Sequence, residues 1–270
     1  MTYDALKKLN NPGKDGTLVR INEFLKGKYN APLTYTPTPA HKPSEIGSKC
    51  FRKIYYSYFK VARDTKIDAK GARIFETGNY YEEMVMSWLI DMKEHIPYRN
   101  KDGKIPNHWA TGKPNPQFPI SVADWRIKKG YIDNVAIVDG ELWLYEIKSS
   151  ASYKFQELTG PMDDHKVQTA IYFKAFNDQL ARGDFSHIPE LKGWTTPAVG
   201  VKVIYVNKDT SDLELFPLKG EVLERSVKLV NSKVKKANEF IDKKELPPKT
   251  EDKCSYCPFA KKCKKDWNDV

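Results

Sequence analysis

The sequence predicts an α/β or α+β fold with a mixed central β-sheet flanked by helices. Three observations lead there: a β-hairpin spanning residues 131 to 148, helical apolar periodicity on both sides of it, and a further strand-like run, Val199 to Val206, beyond the second helix. No segment of the chain repeats another.

In chain order, residues 1–43 carry many breakers, Asn10-Asn11-Pro12-Gly13 and then Pro32, Pro37, Pro39 and Pro43. They read as an N-terminal arm with a short helix near Leu18 to Lys26. Ser44 is the expected N-cap of a helix running from Glu45 to Val61, packed on one side and basic on the other. From there to the C-terminus, 44–270, one catalytic domain is expected. A second helix over about Arg73 to Glu94 follows from Val85, Trp88, Leu89 and Met92 at i, i+3, i+4 and i+7, with Glu82 on the Val85/Leu89 stripe. Residues 95 to 120 hold five prolines and read as a long loop. The hairpin comes next, then a helix from about Asp164 to Leu180, the strand at 199 to 206, a short strand at 211 to 217, and a long basic helix from Gly220 to Lys244.

At 270 residues with 40% hydrophobic and 30% charged content, the chain is long enough to bury a sizeable core. Its mean hydropathy of −0.63 and the absence of any apolar run near ~20 residues argue against a membrane span. The first residues, Met-Thr-Tyr-Asp-Ala-Leu-Lys-Lys, lack the apolar core of a secretory signal, so a cytoplasmic location is expected. A net charge of +10 suits a polyanionic partner, with nucleic acid the leading class.

The hairpin carries the chemistry. Two β-rich runs, Tyr131 to Val138 and Glu141 to Lys148, are separated by Asp139-Gly140, which suits a type I′ turn. That two-residue loop sets Val138 opposite Glu141 and Ile137 opposite Leu142. Counting outward places Asp133 across from Glu146, on the face that Glu146 shares with Lys148. Two carboxylates whose Cβ atoms lie about 5 Å apart destabilise a hairpin unless something compensates, and a divalent cation, Mg²⁺ or Mn²⁺, does so. The E-x-K pattern alone is weak, because Glu190-Leu191-Lys192 and Glu251-Asp252-Lys253 repeat it. What sets this copy apart is its register.

The four cysteines form a second constellation. Cys254-x₂-Cys257-x₅-Cys263 lies near the end of the chain, and Cys50 is far upstream. In a reducing compartment four thiolates read as metal ligation sooner than as disulfides. Both a Zn²⁺ site and an iron–sulfur cluster use four cysteines, and either would tie the Cys50 helix to the C-terminal segment 254–263.

Taken together, Gly78-Asn-Tyr-Tyr-Glu82, Gly130-Tyr-Ile-Asp133, Glu146-Ile-Lys148, Gln168-Thr-Ala-Ile-Tyr172 and the Cys50/Cys254/Cys257/Cys263 set resemble the RecB-like branch of the PD-(D/E)XK nucleases. More narrowly the chain is similar to the iron–sulfur exonucleases related to CRISPR-associated and AddB-type enzymes, many of them phage-encoded. The match runs in order from residue 44 to 263. The resemblance implies a restriction-endonuclease-like sheet and a helical, C-terminal subdomain stapled by a structural [4Fe-4S] cluster on the four cysteines. It assigns Asp133, Glu146 and the Ile147 carbonyl to the catalytic metal, Lys148 to orienting or activating the attacking water, and Gln168 and Tyr172 to a helix beside the site and the DNA. Where many relatives carry a metal-binding histidine four residues after the helix glycine, this chain has Glu82, which the resemblance makes the expected further metal ligand, directly or through water, with Glu83 as the fallback.

The implied activity is a metal-dependent DNA exonuclease acting on single-stranded ends in recombination, repair or phage DNA metabolism. The alternative is an inactive nuclease-like module that caps DNA ends, and either version could dock a helicase or recombinase. Lys49, Arg52 and Lys53 are the candidate phosphate contacts, with Lys261, Lys262, Lys264 and Lys265 as additions. Tyr55, Tyr56, Trp109 and Tyr172 stand either as base-stacking aromatics or as core.

Overall fold

The structure is a computed structural model that describes every residue except 1–15, 32–37, 109–111, 251–253, 255–256 and 269–270. Trp109 and the E-x-K at 251–253 therefore lie outside the described residues. The chain divides into two compact units. The smaller comprises residues 1–37, 62–80 and 258–270, and the larger comprises 38–61 and 81–257.

The smaller unit contains α1 (Gly16–Tyr29), α4 (Ala69–Asp91) as far as Tyr80, and α8 (Ala260–Asn268). Asp64 organises the start of α8: its carboxylate accepts the backbone N–H groups of Lys261 and Lys262, and its own N–H donates to the Pro258 carbonyl. An acid on the free N–H groups of a helix start satisfies them and meets the positive end of the helix dipole.

The larger unit opens with α2 (Pro43–Ile46) and α3 (Phe51–Tyr58), where the sequence predicted one continuous helix from Ser44. The chain breaks between them because Gly47 lies against the first turn of the helix at 163–181. A Cβ there would come within 2.8 Å of the Asp164 Cα. Lys42, not Ser44, is the N-cap of α2, and Cys50 is the N-cap of α3.

The sheet follows. β3 (Asn134–Val138), β4 (Glu141–Ser150), β5 (Gly200–Asn207) and β6 (Leu213–Lys219) are hydrogen-bonded in that spatial order. β4 and β5 run parallel and the other pairs antiparallel, so the sheet is mixed. The parallel β4–β5 crossover carries α5 (Ser152–Phe155) and α6 (Asp163–Ala181), and β6 leads into α7 (Gly220–Lys243). One sheet face, including Val135, Leu142, Leu144, Val201, Val203 and Tyr205, is buried with Val167, Ala170 and Ile171 of α6 and Leu223, Val230 and Val234 of α7. The other face, Ala136, Trp143, Tyr145, Ile147, Ile204 and Val206, packs on Val85 and Leu89 of α4. Of the predicted α4 stripe, Trp88 and Met92 are instead exposed, and the helix ends at Asp91.

A second, two-stranded sheet, β1 (Phe118–Val122) with β2 (Ile127–Ile132), occupies a stretch that begins in the expected long loop. The proline-rich composition hid β1. Its partner β2 ends at Ile132, so the run expected to be one strand from Tyr131 to Val138 is broken at Asp133. Among the described residues no helix is long and apolar enough to cross a membrane.

Candidate active site

The hairpin turn fixes the geometry from which the site is built. Asp139 and Gly140 both have positive φ, 52° and 77°, as a type I′ turn requires. The observed pairs run Val138↔Glu141, Ile137↔Leu142, Ala136↔Trp143, Val135↔Leu144 and Asn134↔Tyr145. Asp133 is the next position out, opposite Glu146. It has left the ladder, and its Oδ2 instead accepts the Ile147 N–H at 2.8 Å. The break between β2 and β3 thus aims the Asp133 carboxylate back at the β4 backbone.

Glu146, Lys148 and Asp133 are brought together on the face covered by α6. Lys148 Nζ donates to Glu146 Oε1, and Gln168 Nε2 of α6 donates to the same oxygen at 2.7 Å. Gln168 Nε2 also reaches the Tyr172 hydroxyl at 2.7 Å. Glu82 of α4 joins from another direction through Gln117, whose Nε2 lies 2.8 Å from Glu82 Oε1 and 3.2 Å from Asp133 Oδ1. Glu83 is exposed. Ile147 donates its N–H within the site while its side chain is buried on the opposite face of the sheet.

The electrostatics are those of acids held away from water. Burial pushes Glu146 up to about 8, with the Asp133 charge adding to the rise and the Lys148 ammonium opposing it. Glu82 is pushed to about 8 by burial and then by Asp133. Burial also raises Asp133, against the pull of Lys148 and the Ile147 N–H. For Lys148, burial lowers the pKa, but attraction to Glu146 and Asp133 outweighs it and holds the ammonium above its ordinary value. Tyr172 is raised well above the usual tyrosine range, first by burial and then by Glu146.

Glu146 Oε2 is buried and accepts no hydrogen bond among the described residues. A buried carboxylate oxygen left without a partner costs about 1–3 kcal/mol or more, and a cation removes that cost. Among the described residues no three His, Cys, Asp or Glu side chains already converge on one point; Gln117 and Lys148 donate to the acids. The donor set, three carboxylates and a strand backbone, is made of hard oxygens and fits Mg²⁺ or Mn²⁺.

The other expected residues are placed as follows. Cys50, Cys254 and Cys257 line one cavity of about 480 Å³ together with Lys49, Lys53, Lys154 and Asp164. Cys263 belongs to the smaller unit. Among the described residues these cysteines do not converge as a metal-ligand group. Arg52 is only 4% exposed, and its Nε donates to the Pro247 carbonyl at 2.9 Å, so it braces the fold. Lys49 is exposed and Lys53 half-buried. Tyr56 and Tyr172 are buried, which fits core roles. The second E-x-K, Glu190 and Lys192, is exposed at a 3₁₀ turn, Pro189–Leu191.

Two nearby residues went unnoticed in the sequence. Gln117 had no visible signal. His165 did, standing three positions before Gln168 on one helix. Its Nδ1 lies 2.6 Å from the Tyr205 hydroxyl, and Tyr205 pairs with Lys148 in the β4–β5 register. The same hydroxyl accepts the Met162 N–H at 3.0 Å, so it ties the start of α6 to β5. Burial lowers His165 to about 4, opposed by Asp164 and reinforced by Lys148, so the ring is neutral at pH 7.

Comparison with solved structures finds, among others, one titled "Crystal structure of SSO0001". It shares 17% identity over 88% of this chain and 93% of that one, with a TM-score of 0.47. No curated protein matches significantly. A family model described as the PD-(D/E)XK nuclease superfamily matches residues 104–264, a span that holds the Asp133/Glu146/Lys148 hairpin, the Gln168 helix and three of the cysteines. With more than half of its length inside that match, the chain belongs to the PD-(D/E)XK nuclease superfamily.

Proposed function

We propose that the protein is a metal-dependent DNA nuclease, an exonuclease that hydrolyses phosphodiester bonds at single-stranded ends. The observation that carries this reading is the group of buried Asp133 and Glu146 with half-buried Glu82 beside Lys148, and one Glu146 oxygen that nothing in the described protein satisfies. Asp133, Glu146 and Glu82 would hold Mg²⁺ or Mn²⁺, with the Ile147 carbonyl beside them. When bound there, such an ion supplies a Lewis acid for the phosphate and an acidified water.

The protein's own groups supply the rest. The Ile147 N–H fixes Asp133, and Gln168 fixes Glu146 from α6. Lys148, cationic and drawn into the site by two carboxylates, orients the attacking water or meets the negative charge that develops on phosphorus. Lys49 and Lys53 meet the DNA backbone, with the exposed Lys261, Lys262, Lys264 and Lys265 as further contacts. The RecB-like branch, the arm at 1–43 and the nuclease domain at 44–270 belong to the same reading. So does a structural [4Fe-4S] cluster on Cys50, Cys254, Cys257 and Cys263, which iron and sulfide analysis of anaerobically purified protein distinguishes from Zn²⁺. A helicase or recombinase is the fitting partner class.

Digestion of 5′- and 3′-labelled single strands across a Mg²⁺ and Mn²⁺ titration tests activity, metal and polarity together. Mononucleotide or short-oligonucleotide release from one end supports the exonuclease. DNA binding without cleavage in either metal makes the protein an end-capping module instead.

A further inference from the structure

Gln117 stands between two acids that come from different elements. Its Nε2 lies 2.8 Å from Glu82 Oε1 on α4 and 3.2 Å from Asp133 Oδ1 at the β2–β3 break. The neighbours determine which way the amide faces. Carboxylates accept hydrogen bonds, so the NH₂ end, with its two protons, turns to them. One amide thus serves two acids that repel each other whenever both are ionised.

The backbone holds this amide firmly in place. Phe118 pairs with Ile132 in the β1–β2 ladder, so the next position outward sets Gln117 beside Asp133. Phe118 is fully buried and packs on Tyr98, Phe176 and Phe185 with ring centroids 5.3–5.7 Å away. The Gln117 N–H donates to Asn115 Oδ1 at 3.1 Å, and Asn115 is itself buried. Both ends of the residue before the strand are therefore tied down.

We propose that Gln117 is a positioning residue that presents Glu82 and Asp133 to a divalent cation as one ligand pair. The inference rests on the metal-site reading above. Each carboxylate oxygen has two acceptor directions, so an oxygen that takes the amide proton can still face a cation, and Oε2 of Glu82 is not used by the amide. Donors of this kind orient ligating carboxylates, and their removal typically weakens metal affinity about 10- to 100-fold. Through this one side chain the residue just ahead of β1 becomes part of the site.

The test is Mn²⁺ binding to the full-length, divalent-free protein, measured by electron paramagnetic resonance of the free ion. Wild type, Gln117→Met, Gln117→Asn and Asp133→Asn are compared. Met keeps the length of glutamine and removes the donor, while Asn keeps the amide but is one methylene too short to span both acids. Both are expected to bind Mn²⁺ about 10- to 100-fold more weakly with an unchanged melting temperature, and cleavage lost at limiting Mn²⁺ should return at saturating Mn²⁺. A merely structural role would lower the melting temperature and would not be rescued by excess ion. Affinity within twofold of wild type in both Gln117 variants, alongside lost binding in Asp133→Asn, overturns the role of Gln117 and leaves the metal site standing. Wild-type protein that binds no Mn²⁺, or Asp133→Asn that binds as wild type, overturns the metal site and this inference with it.

Discussion

Glu82 is a carboxylate that folding makes harder to ionise. Its pKa rises from 4.5 to about 8, first because it is buried and then because Asp133 is beside it. Below pH 4.5 the group is protonated in both folded and unfolded chains and favours neither. Between 4.5 and 8 the unfolded chain releases a proton that the folded chain retains, so stability falls as pH rises, by up to about 1.4 kcal/mol per pH unit for the group. Glu82→Gln removes that ionisation while keeping an acceptor for Gln117. It is expected to raise the stability of divalent-free protein at pH 8 by about 1–3 kcal/mol and to flatten its melting-temperature profile between pH 5 and 8. Added Mn²⁺ should stabilise wild type at pH 8 more than the variant. Asp133, Glu146 and Lys148 were legible because a two-residue turn counts residues for the reader. Gln117 was not, because its partners become visible only once the β1–β2 register is known. The burial of Arg52 was equally invisible, since a basic residue on a short helix reads the same whether it faces solvent or a backbone carbonyl.

At the scale of the element, the hairpin depends on two consecutive residues with positive φ. Gly140, at 77°, sits where a side chain would be strained. Gly140→Val is expected to cost about 1–2 kcal/mol or somewhat more, read as a lower urea midpoint. Because the turn fixes the register, the same change should also reduce cleavage. The long helices α4, α6 and α7 and strands β4 and β5 fell within a few residues of where periodicity placed them, since each packs apolar side chains into the core. The misreadings share a cause. β1 hides behind prolines, the 131–138 run breaks where Asp133 turns away, and the helix after Ser44 stops because Gly47 packs against α6. In each place tertiary contact decides what local composition leaves open.

For the whole molecule, a net charge of +10 should make DNA affinity fall with salt. If about four phosphates of a single strand are neutralised, raising salt from 50 to 200 mM should weaken binding roughly fifty-fold. Lys49 and Lys53, beside the cysteine-lined cavity, should account for part of it. Their replacement by Ala is expected to reduce the log–log salt slope by about 1.4, measured by fluorescence anisotropy. An unchanged slope would move the DNA path elsewhere.

Cleavage by Asp133→Asn and Glu146→Gln, measured on end-labelled single strands with Mg²⁺ or Mn²⁺, goes to the centre of the account. Each variant should lose at least about 10²–10³ in rate, as removal of one such charge-stabilising group does, while anisotropy shows DNA still bound. Cleavage retained near the wild-type rate in both would contradict it.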